Sequence, residues 1–211
     1  HDDLPCMDND DLRRGKPTNH KVYGESIATL AGDGLLNLAF ETILKHSQVS
    51  PNMTLAALSI IADSAGVEGM IGGQVIDLES EGKTVDAITL MALHLHKTAA
   101  LIMASAKVGA LIGGGGRDDL LAMEEFSRYL GIAFQIKDDI LDVVGAEESL
   151  GKTIGKDQQS QKSTFVTIYG LEQSEKMLED YTNKAVEALS KYGDKASFLI
   201  DLSKFLLDRD R

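Results

Sequence analysis

The chain has 211 residues, of which 43% are hydrophobic and 26% are charged, a composition typical of a folded domain and not of a disordered chain. Its 33 Asp and Glu residues exceed its 21 Lys and Arg residues and give a formal net charge of -12, so we expect it to bind neither nucleic acid nor anionic lipid. The single cysteine excludes an internal disulfide framework and indicates a reducing compartment, which we take to be the cytoplasm.

Glycine and proline divide the chain into segments with helical periodicity. All three prolines lie in the first quarter of the chain, so none interrupts the helices that follow. Between the glycines, apolar residues recur three and four positions apart. This spacing predicts helices near 22–47, 53–80, 85–112, 118–144, 171–191 and 195–208, and a loop over 145–170 that contains a short helix. No stretch has the alternation of a half-buried strand, so we predict an all-α fold.

The organisation of the chain predicts one domain over residues 1–211, because no repeat, low-complexity tract or linker divides it. His1 stands where an initiator Met would be expected, so we expect the domain to be truncated at its N-terminus. No targeting signal is recognisable, and charges are expected to interrupt every apolar run well short of a membrane span. We therefore predict no stable membrane insertion.

The first acidic segment needs an irregular backbone. Asp2 and Asp8 are six residues apart, a spacing that a regular helix would turn away from each other. Pro5 disturbs the local turn, and looping out two residues would bring the two carboxylates back into register. Arg13 and Arg14 follow. Carboxylates followed by arginines form either a solvated ion-pair network or a diphosphate site, in which Mg²⁺ and guanidinium groups bind the anion.

Polar residues also interrupt two apolar helices in the middle of the chain. Lys97 and Thr98 lie in an otherwise apolar helix; the lysine either extends to the surface or remains buried and faces a phosphate. Gln74 and Asp77 are three apart and form either an inward polar pair at a site or a satisfied pair in the core. The sequence alone leaves both alternatives open.

The second acidic segment is a polar stripe on an apolar helix. Gln135, Asp138, Asp139 and Asp142 follow i, i+3, i+4, i+7 spacing, which places them on one face at about 100° per residue. They either form a thin solvated edge or face an internal cavity. In a poorly hydrated cavity, clustered carboxylates raise each other's pKa unless a cation neutralises them. Such hard oxygen ligands suit Mg²⁺.

A lysine-containing segment follows this helix. Lys152 resembles the end of a P-loop, but Ala146 stands where that motif requires glycine, and a helix precedes it instead of a strand. We therefore reject a nucleoside triphosphatase function. Lys152, Lys156 and Lys162 instead look like cations on a mobile loop, with ordinary solvent exposure as the alternative, especially for Lys156.

Taken together in chain order, these segments resemble the trans-isoprenyl diphosphate synthases, most closely the short-chain bacterial and plastid type. The resemblance runs the whole length of the chain and rests on five ordered blocks: Asp2-Asp-x4-Asp8 with Arg13-Arg14, Gly73-Gln74-x2-Asp77, His96-Lys97-Thr98, Phe134-Gln135-x2-Asp138-Asp139-x2-Asp142, and Gly151-Lys152.

The resemblance implies antiparallel helices around a deep central cavity, a homodimer, and three Mg²⁺ ions that bridge an allylic diphosphate to both acidic segments. It implies that Asp2 and Asp8 bind metal from one side and Asp138 from the other, with Asp142 acting through water. The implied catalytic residues are Asp2, Asp3, Asp8, Asp138, Lys97 and Lys152. The implied diphosphate-binding residues are Arg13, Arg14, Lys97, Thr98, Gln135, Lys152 and Lys162, with Arg14 on isopentenyl diphosphate.

The reaction implied by the resemblance joins isopentenyl diphosphate to dimethylallyl or geranyl diphosphate, with farnesyl diphosphate slightly favoured as the product and geranylgeranyl diphosphate as the alternative. A terpene cyclase would pair one Asp-rich segment with an Asn/Ser/Glu-type metal motif, which is not found near residues 135–150. A non-catalytic prenyltransferase subunit often lacks acidic residues that are intact here. A purely structural helical bundle would leave the aspartates of the second segment without cations.

Overall fold

The computed structural model describes residues 1–149 and 163–208, apart from the side chains of 145–149 and 207–208. Helices dominate these residues, so the all-α prediction is confirmed. The predictions for Lys152, Lys156 and Lys162 lie outside the described residues. The chain divides into two compact units, His1–Leu58 and Ser59–Arg211, which are described separately; the single domain stays a prediction.

The first unit contains a short hairpin that the sequence analysis did not predict. Strand β1 (Leu12–Arg13) pairs antiparallel with β2 (Lys16–Pro17). Arg14 and Gly15 between them have φ values of 53° and 74°, the left-handed conformations that a tight two-residue hairpin turn requires. Helix α1 (Asn19–Tyr23) and helix α2 (Glu25–His46) follow. Gly24 separates them with φ 85°, so the helix predicted near 22–47 starts earlier and is kinked.

The predicted helix 53–80 is two helices. Helix α3 (Pro51–Ala65) crosses from the first unit into the second, and α4 (Met70–Ser80) follows a short turn. The break coincides with Gly66 and Gly69. At both glycines a Cβ atom would lie under 3 Å from a backbone oxygen of the preceding turn. The periodic pattern of apolar residues continues across this turn, so periodicity alone did not reveal it.

The rest of the second unit follows the predicted helices closely. Its elements are α5 (Ala87–His94), a π-helical turn (Leu95–Ala99), α6 (Ala100–Ile112), α7 (Arg117–Ser149), α8 (Phe165–Tyr169), α9 (Leu171–Ala188), a 3-10 segment (Ser190–Ala196) and α10 (Ser197–Asp208). Helix α7 extends further than predicted, to Ser149, and α8 is the short helix expected within the loop.

Helix α7 forms the centre of the second unit. It packs against α6, α9 and the π-helical turn. Its buried residues belong to two apolar clusters: Ile132 and Ile136 pack with Phe165 of α8, and Phe126 and Leu130 belong to the other. Because the α7 residues within each cluster are four apart, one side of α7 is buried along much of its length. This packing fixes the orientation of the polar stripe on the same helix.

Within the described residues, three stretches are long and apolar enough to cross a membrane by length and composition alone: Glu25–His46, Pro51–Ser80 and Ala87–Ile112. The expectation that charges interrupt every apolar run before that length is therefore wrong. The second stretch contains the turn between α3 and α4, and the third contains Lys97, which is ion-paired with Asp77. The absence of stable membrane insertion stays a prediction.

Candidate active site

An ion pair joins α4 to the π-helical turn. The Lys97 Nζ atom donates a hydrogen bond to Asp77 Oδ2 over 2.6 Å. The Lys97 side chain is 27% exposed and that of Asp77 is 13% exposed, so this pair is shielded more than an ordinary surface ion pair. Lys97 therefore neither extends fully to the surface nor lies isolated in the core. Asp77 pairs with this lysine, and not with Gln74 as the sequence had suggested.

The close approach of two backbones makes this ion pair possible. A Cβ atom on Gly73 of α4 would lie 2.1 Å from the Lys97 nitrogen and 2.5 Å from its Cα, distances that only glycine permits. The π-helical turn adds one residue to the helical repeat at this point, a feature that is frequent at functional sites. His96 Nδ1 also donates to the carbonyl of Glu68 over 2.9 Å. These contacts fix the position of Lys97.

Thr98, the next residue of the turn, connects it to the polar stripe of α7. Its hydroxyl donates a hydrogen bond to Gln135 Oε1 over 2.6 Å. Two residues that the sequence assigns to substrate binding are therefore in contact, although they are 37 positions apart in the chain. This bond uses only the amide oxygen of Gln135, so within the described residues its two N–H donors remain available to bind an anion.

The aspartates of the α7 stripe differ in their environments. Asp138 is half-buried and Asp142 is exposed, whereas Asp139 is buried. The Asp139 carboxylate accepts a hydrogen bond from the backbone N–H of Phe165 over 2.7 Å. Burial, with smaller contributions from the charges of Asp142 and Asp138, raises the pKa of Asp139 to about 7. Asp139 therefore links α7 to the start of α8, a role that its position on the stripe did not reveal.

A buried histidine lies beside the same contact. His94 stacks on the ring of Phe165, with ring centroids 5.3 Å apart. Burial lowers the pKa of His94 to about 4; the charge of Asp77 opposes this shift and that of Lys97 adds to it. His94 is therefore neutral at physiological pH. The sequence alone assigned no role to this histidine.

The first acidic segment, in the other unit, has the irregular backbone that Pro5 predicts. The N–H of Asp8 donates to the carbonyl of Asp2 over 3.0 Å, so a hydrogen bond closes across six residues instead of the four of an α-helix. Both aspartates thus belong to one compact turn. Asp2 is half-buried and Asp8 is exposed.

The two arginines after this turn lie in the hairpin. Arg13 forms an ion pair with Asp3, which raises the pKa of the guanidinium group. This pair agrees with the ion-pair alternative from the sequence, while the remaining N–H donors of the guanidinium can still bind an anion. Arg14 occupies the exposed turn of the hairpin.

The site offers few carboxylate ligands, as a magnesium site usually does. Among the residues that the structure describes, no three His, Cys, Asp or Glu side chains form a cluster that could hold a metal ion. Mg²⁺ is commonly bound by one or two carboxylates, with water and substrate phosphates as its other ligands. Asp138 and Asp142 share one helix face, and both raise the pKa of Asp139. This concentration of negative charge fits a hard divalent cation bound together with a phosphate.

Comparisons with known proteins agree with this chemistry. Residues 1–197 match the family model described as polyprenyl synthetase. The chain is 47% identical to the heterodimeric geranylgeranyl pyrophosphate synthase large subunit 1 of Arabidopsis thaliana, covering 99% of this chain and 58% of that protein. It is 50% identical to the farnesyl diphosphate synthase of Geobacillus stearothermophilus over 81% of this chain and 58% of the relative. The chain thus spans less than two thirds of these relatives.

Among solved structures, the geranyltransferase of Helicobacter pylori, complexed with magnesium and isoprenyl diphosphate, matches with a TM-score of 0.82 at 33% identity. The match covers 99% of this chain and 68% of that one. Fold, family model and sequence similarity therefore agree along nearly the whole chain. The chain belongs to the polyprenyl synthetase family.

Proposed function

We propose that the protein is a short-chain prenyltransferase that condenses isopentenyl diphosphate with an allylic diphosphate. The observation that carries this proposal is the contact between Thr98 and Gln135. It joins the helical turn of Lys97 to the face of α7 that presents Asp138. Cationic, amide and carboxylate groups of the kinds that bind a diphosphate and its metal thus lie on two contacting elements.

The residues match a reaction that begins with ionisation. When the carbon–oxygen bond of an allylic diphosphate breaks, negative charge develops on the leaving group and positive charge on the hydrocarbon. Lys97 and the N–H donors of Gln135 would stabilise the leaving group where this charge develops. The double bond of isopentenyl diphosphate then attacks the allylic carbon, and the departing diphosphate can take the released proton. This chemistry needs no serine nucleophile.

The proposed cofactor is Mg²⁺, three ions per site. When bound, it supplies positive charge that neutralises the diphosphate. We assign Asp2, Asp8 and Asp138 as its protein ligands and Asp142 as a ligand through water. The magnesium named for the Helicobacter pylori geranyltransferase supports this assignment. Asp3 stays in the proposed catalytic set, where its observed partner is Arg13.

The remaining substrate assignments follow the family resemblance. Arg13 would bind the allylic diphosphate and Arg14 isopentenyl diphosphate, since each guanidinium offers several N–H donors to phosphate oxygens. Lys152 and Lys162, outside the described residues, are proposed to bind the allylic diphosphate as well.

The product has either fifteen or twenty carbons. The sequence slightly favours farnesyl diphosphate, as in the named activity of the Geobacillus stearothermophilus relative. The names of several plant relatives, including those from Arabidopsis thaliana and Capsicum annuum, instead favour geranylgeranyl diphosphate. Incubation with isopentenyl and dimethylallyl diphosphates and Mg²⁺, followed by chromatography of the products, distinguishes the two. A cyclic hydrocarbon would indicate a terpene cyclase.

We propose that the protein is a homodimer. Helix α2 exposes several large apolar side chains, with 48–67% of each accessible: Ile27, Leu30, Leu35, Leu36, Leu38 and Leu44. Exposed apolar side chains in this number are typical of an interaction surface, and an isologous dimer would cover them on both copies.

The decisive test of the function replaces one metal ligand in each acidic segment. In the complete gene product, Asp138→Ala and Asp2→Ala should each lower turnover on the order of 10³-fold, since each removes charge that holds the diphosphate. Glu125→Ala is the matched control because it removes an exposed carboxylate from another part of α7. Circular dichroism must show folded variants. Product formation at the wild-type rate by either aspartate variant would refute the assignment.

A further inference from the structure

Asp77 has no role in the proposed mechanism, yet it is the observed partner of Lys97. Its carboxylate accepts a hydrogen bond from the ammonium group over 2.6 Å, and the aspartate side chain is only 13% exposed. A carboxylate that is not assigned as a metal ligand is an unexpected neighbour for a diphosphate site, because it repels the anion that the site must bind. Its presence therefore calls for a compensating role.

The geometry of the pair points to that role. A lysine side chain has four rotatable carbon–carbon bonds and loses much rotamer entropy when it is fixed. The backbone of Lys97 is fixed by its contact with Gly73, but the ammonium group lies at the end of that flexible chain. Within the described part of the chain, the bond to Asp77 is the contact that fixes this end.

One carboxylate leaves the ammonium group able to bind phosphate. An ammonium group has three N–H donors, and the bond to Asp77 uses one of them. Among the residues that the structure describes, Asp77 is the acceptor observed for this group, so two donors remain for oxygens of a diphosphate. A single fixed acceptor thus orients the group and keeps two donors for the substrate.

We infer that Asp77 is a positioning residue, which holds the Lys97 ammonium group in the orientation that binds the diphosphate of the allylic substrate. The inference rests on the proposed function of Lys97 as a diphosphate ligand. It assigns Asp77 no contact with the substrate and no proton transfer. Its effect on the reaction passes entirely through Lys97.

The test is a double-mutant cycle in the complete gene product with Asp77→Asn, Lys97→Met and the combined variant. Two quantities are measured for each: kcat with saturating allylic and isopentenyl diphosphates, and the calorimetric Kd for inorganic pyrophosphate in the presence of Mg²⁺. Glu79→Gln is the matched control, because it neutralises an exposed carboxylate on the same helix α4.

Asp77→Asn should lower kcat and weaken pyrophosphate binding by roughly tenfold each, because the neutral amide turns the ion-paired hydrogen bond into a weaker one to a neutral acceptor. With Lys97→Met already present, the second substitution should change neither quantity, because the group that Asp77 orients is gone. Glu79→Gln should match the wild type. Asp77→Glu, which keeps the charge on a longer chain, should recover part of the loss and serves as the second variant if the Asn variant does not fold.

Three results would overturn the inference: unchanged binding and kcat in Asp77→Asn, tighter pyrophosphate binding, or the same loss in the Lys97→Met background. Tighter binding would mean that the carboxylate only repels the anion. Failure of the proposed function is a separate result. It would appear as a wild-type protein that makes no linear prenyl diphosphate, whereas the pyrophosphate measurements still test the link between Asp77 and Lys97.

Discussion

Gly73→Ala tests the contact that brings Lys97 next to Asp77. The new Cβ atom would lie 2.1 Å from the Lys97 nitrogen, whereas ordinary contact begins at 3.4 Å. Helix α4 and the π-helical turn must therefore separate by about 1.3 Å, the difference between these two distances. The obstructing atoms belong to the backbone, so a change of side-chain rotamer cannot relieve the clash.

The expected cost follows from this displacement. Overpacking of this kind costs about 3 kcal/mol, the upper end of its usual range, because backbone atoms must move; the roughly 0.5–1 kcal/mol that alanine gains over glycine in a helix partly offsets this cost. A net loss of about 2 kcal/mol would lower the Tm by about 4–8 °C in a chain of this size. Calorimetry or a thermal melt followed by circular dichroism measures it. At temperatures where the variant is folded, kcat should also fall, because Lys97 moves with its backbone.

Gly109→Ala provides the matched control. Gly109 lies inside helix α6, and a Cβ atom there would meet nothing within 4 Å. The same substitution should therefore stabilise the protein by about 0.5–1 kcal/mol. If Gly73→Ala also left the Tm unchanged or raised it, the close approach of α4 to the π-helical turn would be refuted.

Three further predictions concern other contacts. Between pH 6.5 and 4 the unfolded chain protonates His94 but the folded state does not, because burial lowers its folded pKa to about 4; about 3 kcal/mol of stability should be lost over this range. Urea unfolding should show that His94→Gln removes this part of the pH dependence and that exposed His46→Gln does not; equal profiles for all three proteins would contradict the prediction. In urea unfolding at pH 8 without Mg²⁺, Asp139→Ala should be about 1–3 kcal/mol less stable than Asp139→Asn, because both variants remove the buried charge but only Ala leaves Phe165 N–H without its acceptor. Asp139→Asn keeps an acceptor without a charge that burial opposes and should be at least as stable as wild type; an equal loss in both variants would refute the role of the hydrogen bond. Leu38→Glu on α2 should convert the proposed dimer to monomers in light scattering, whereas exposed Glu172→Gln on α9 should not. A dimeric Leu38→Glu protein would exclude a dimer interface at Leu38.

The helical architecture was largely readable from the sequence because its signals are local. Glycine and the recurrence of apolar residues three and four apart define most of the helices. The turn at 66–69 was missed because the apolar pattern continues through it. The hairpin at 12–17 was missed because strands of two residues are too short to show an alternating pattern; its signal was glycine directly after Arg14.

The candidate site was only partly predictable because its contacts join distant parts of the chain. The stripe on α7 was visible, since helical geometry relates its members directly. That Asp139 differs from Asp138 depends on Phe165, whose backbone N–H comes from another helix. Likewise, the sequence showed Lys97 as a lone charge and Asp77 as the partner of Gln74, and only the packing of α4 against the π-helical turn identifies Asp77 and Lys97 as partners.

The π-helical turn at Leu95–Ala99 has a consequence for how this segment tolerates insertions and deletions. Removing one residue from it would restore a regular α-helix from Ala87 to Ile112, with better internal hydrogen bonding. The same deletion would rotate one side of the helix by about 100° relative to the other and separate Lys97 or Thr98 from its partner. The more regular helix would thus lose a contact of the proposed site. We therefore expect natural variants to keep the length of this segment even where its amino acids change.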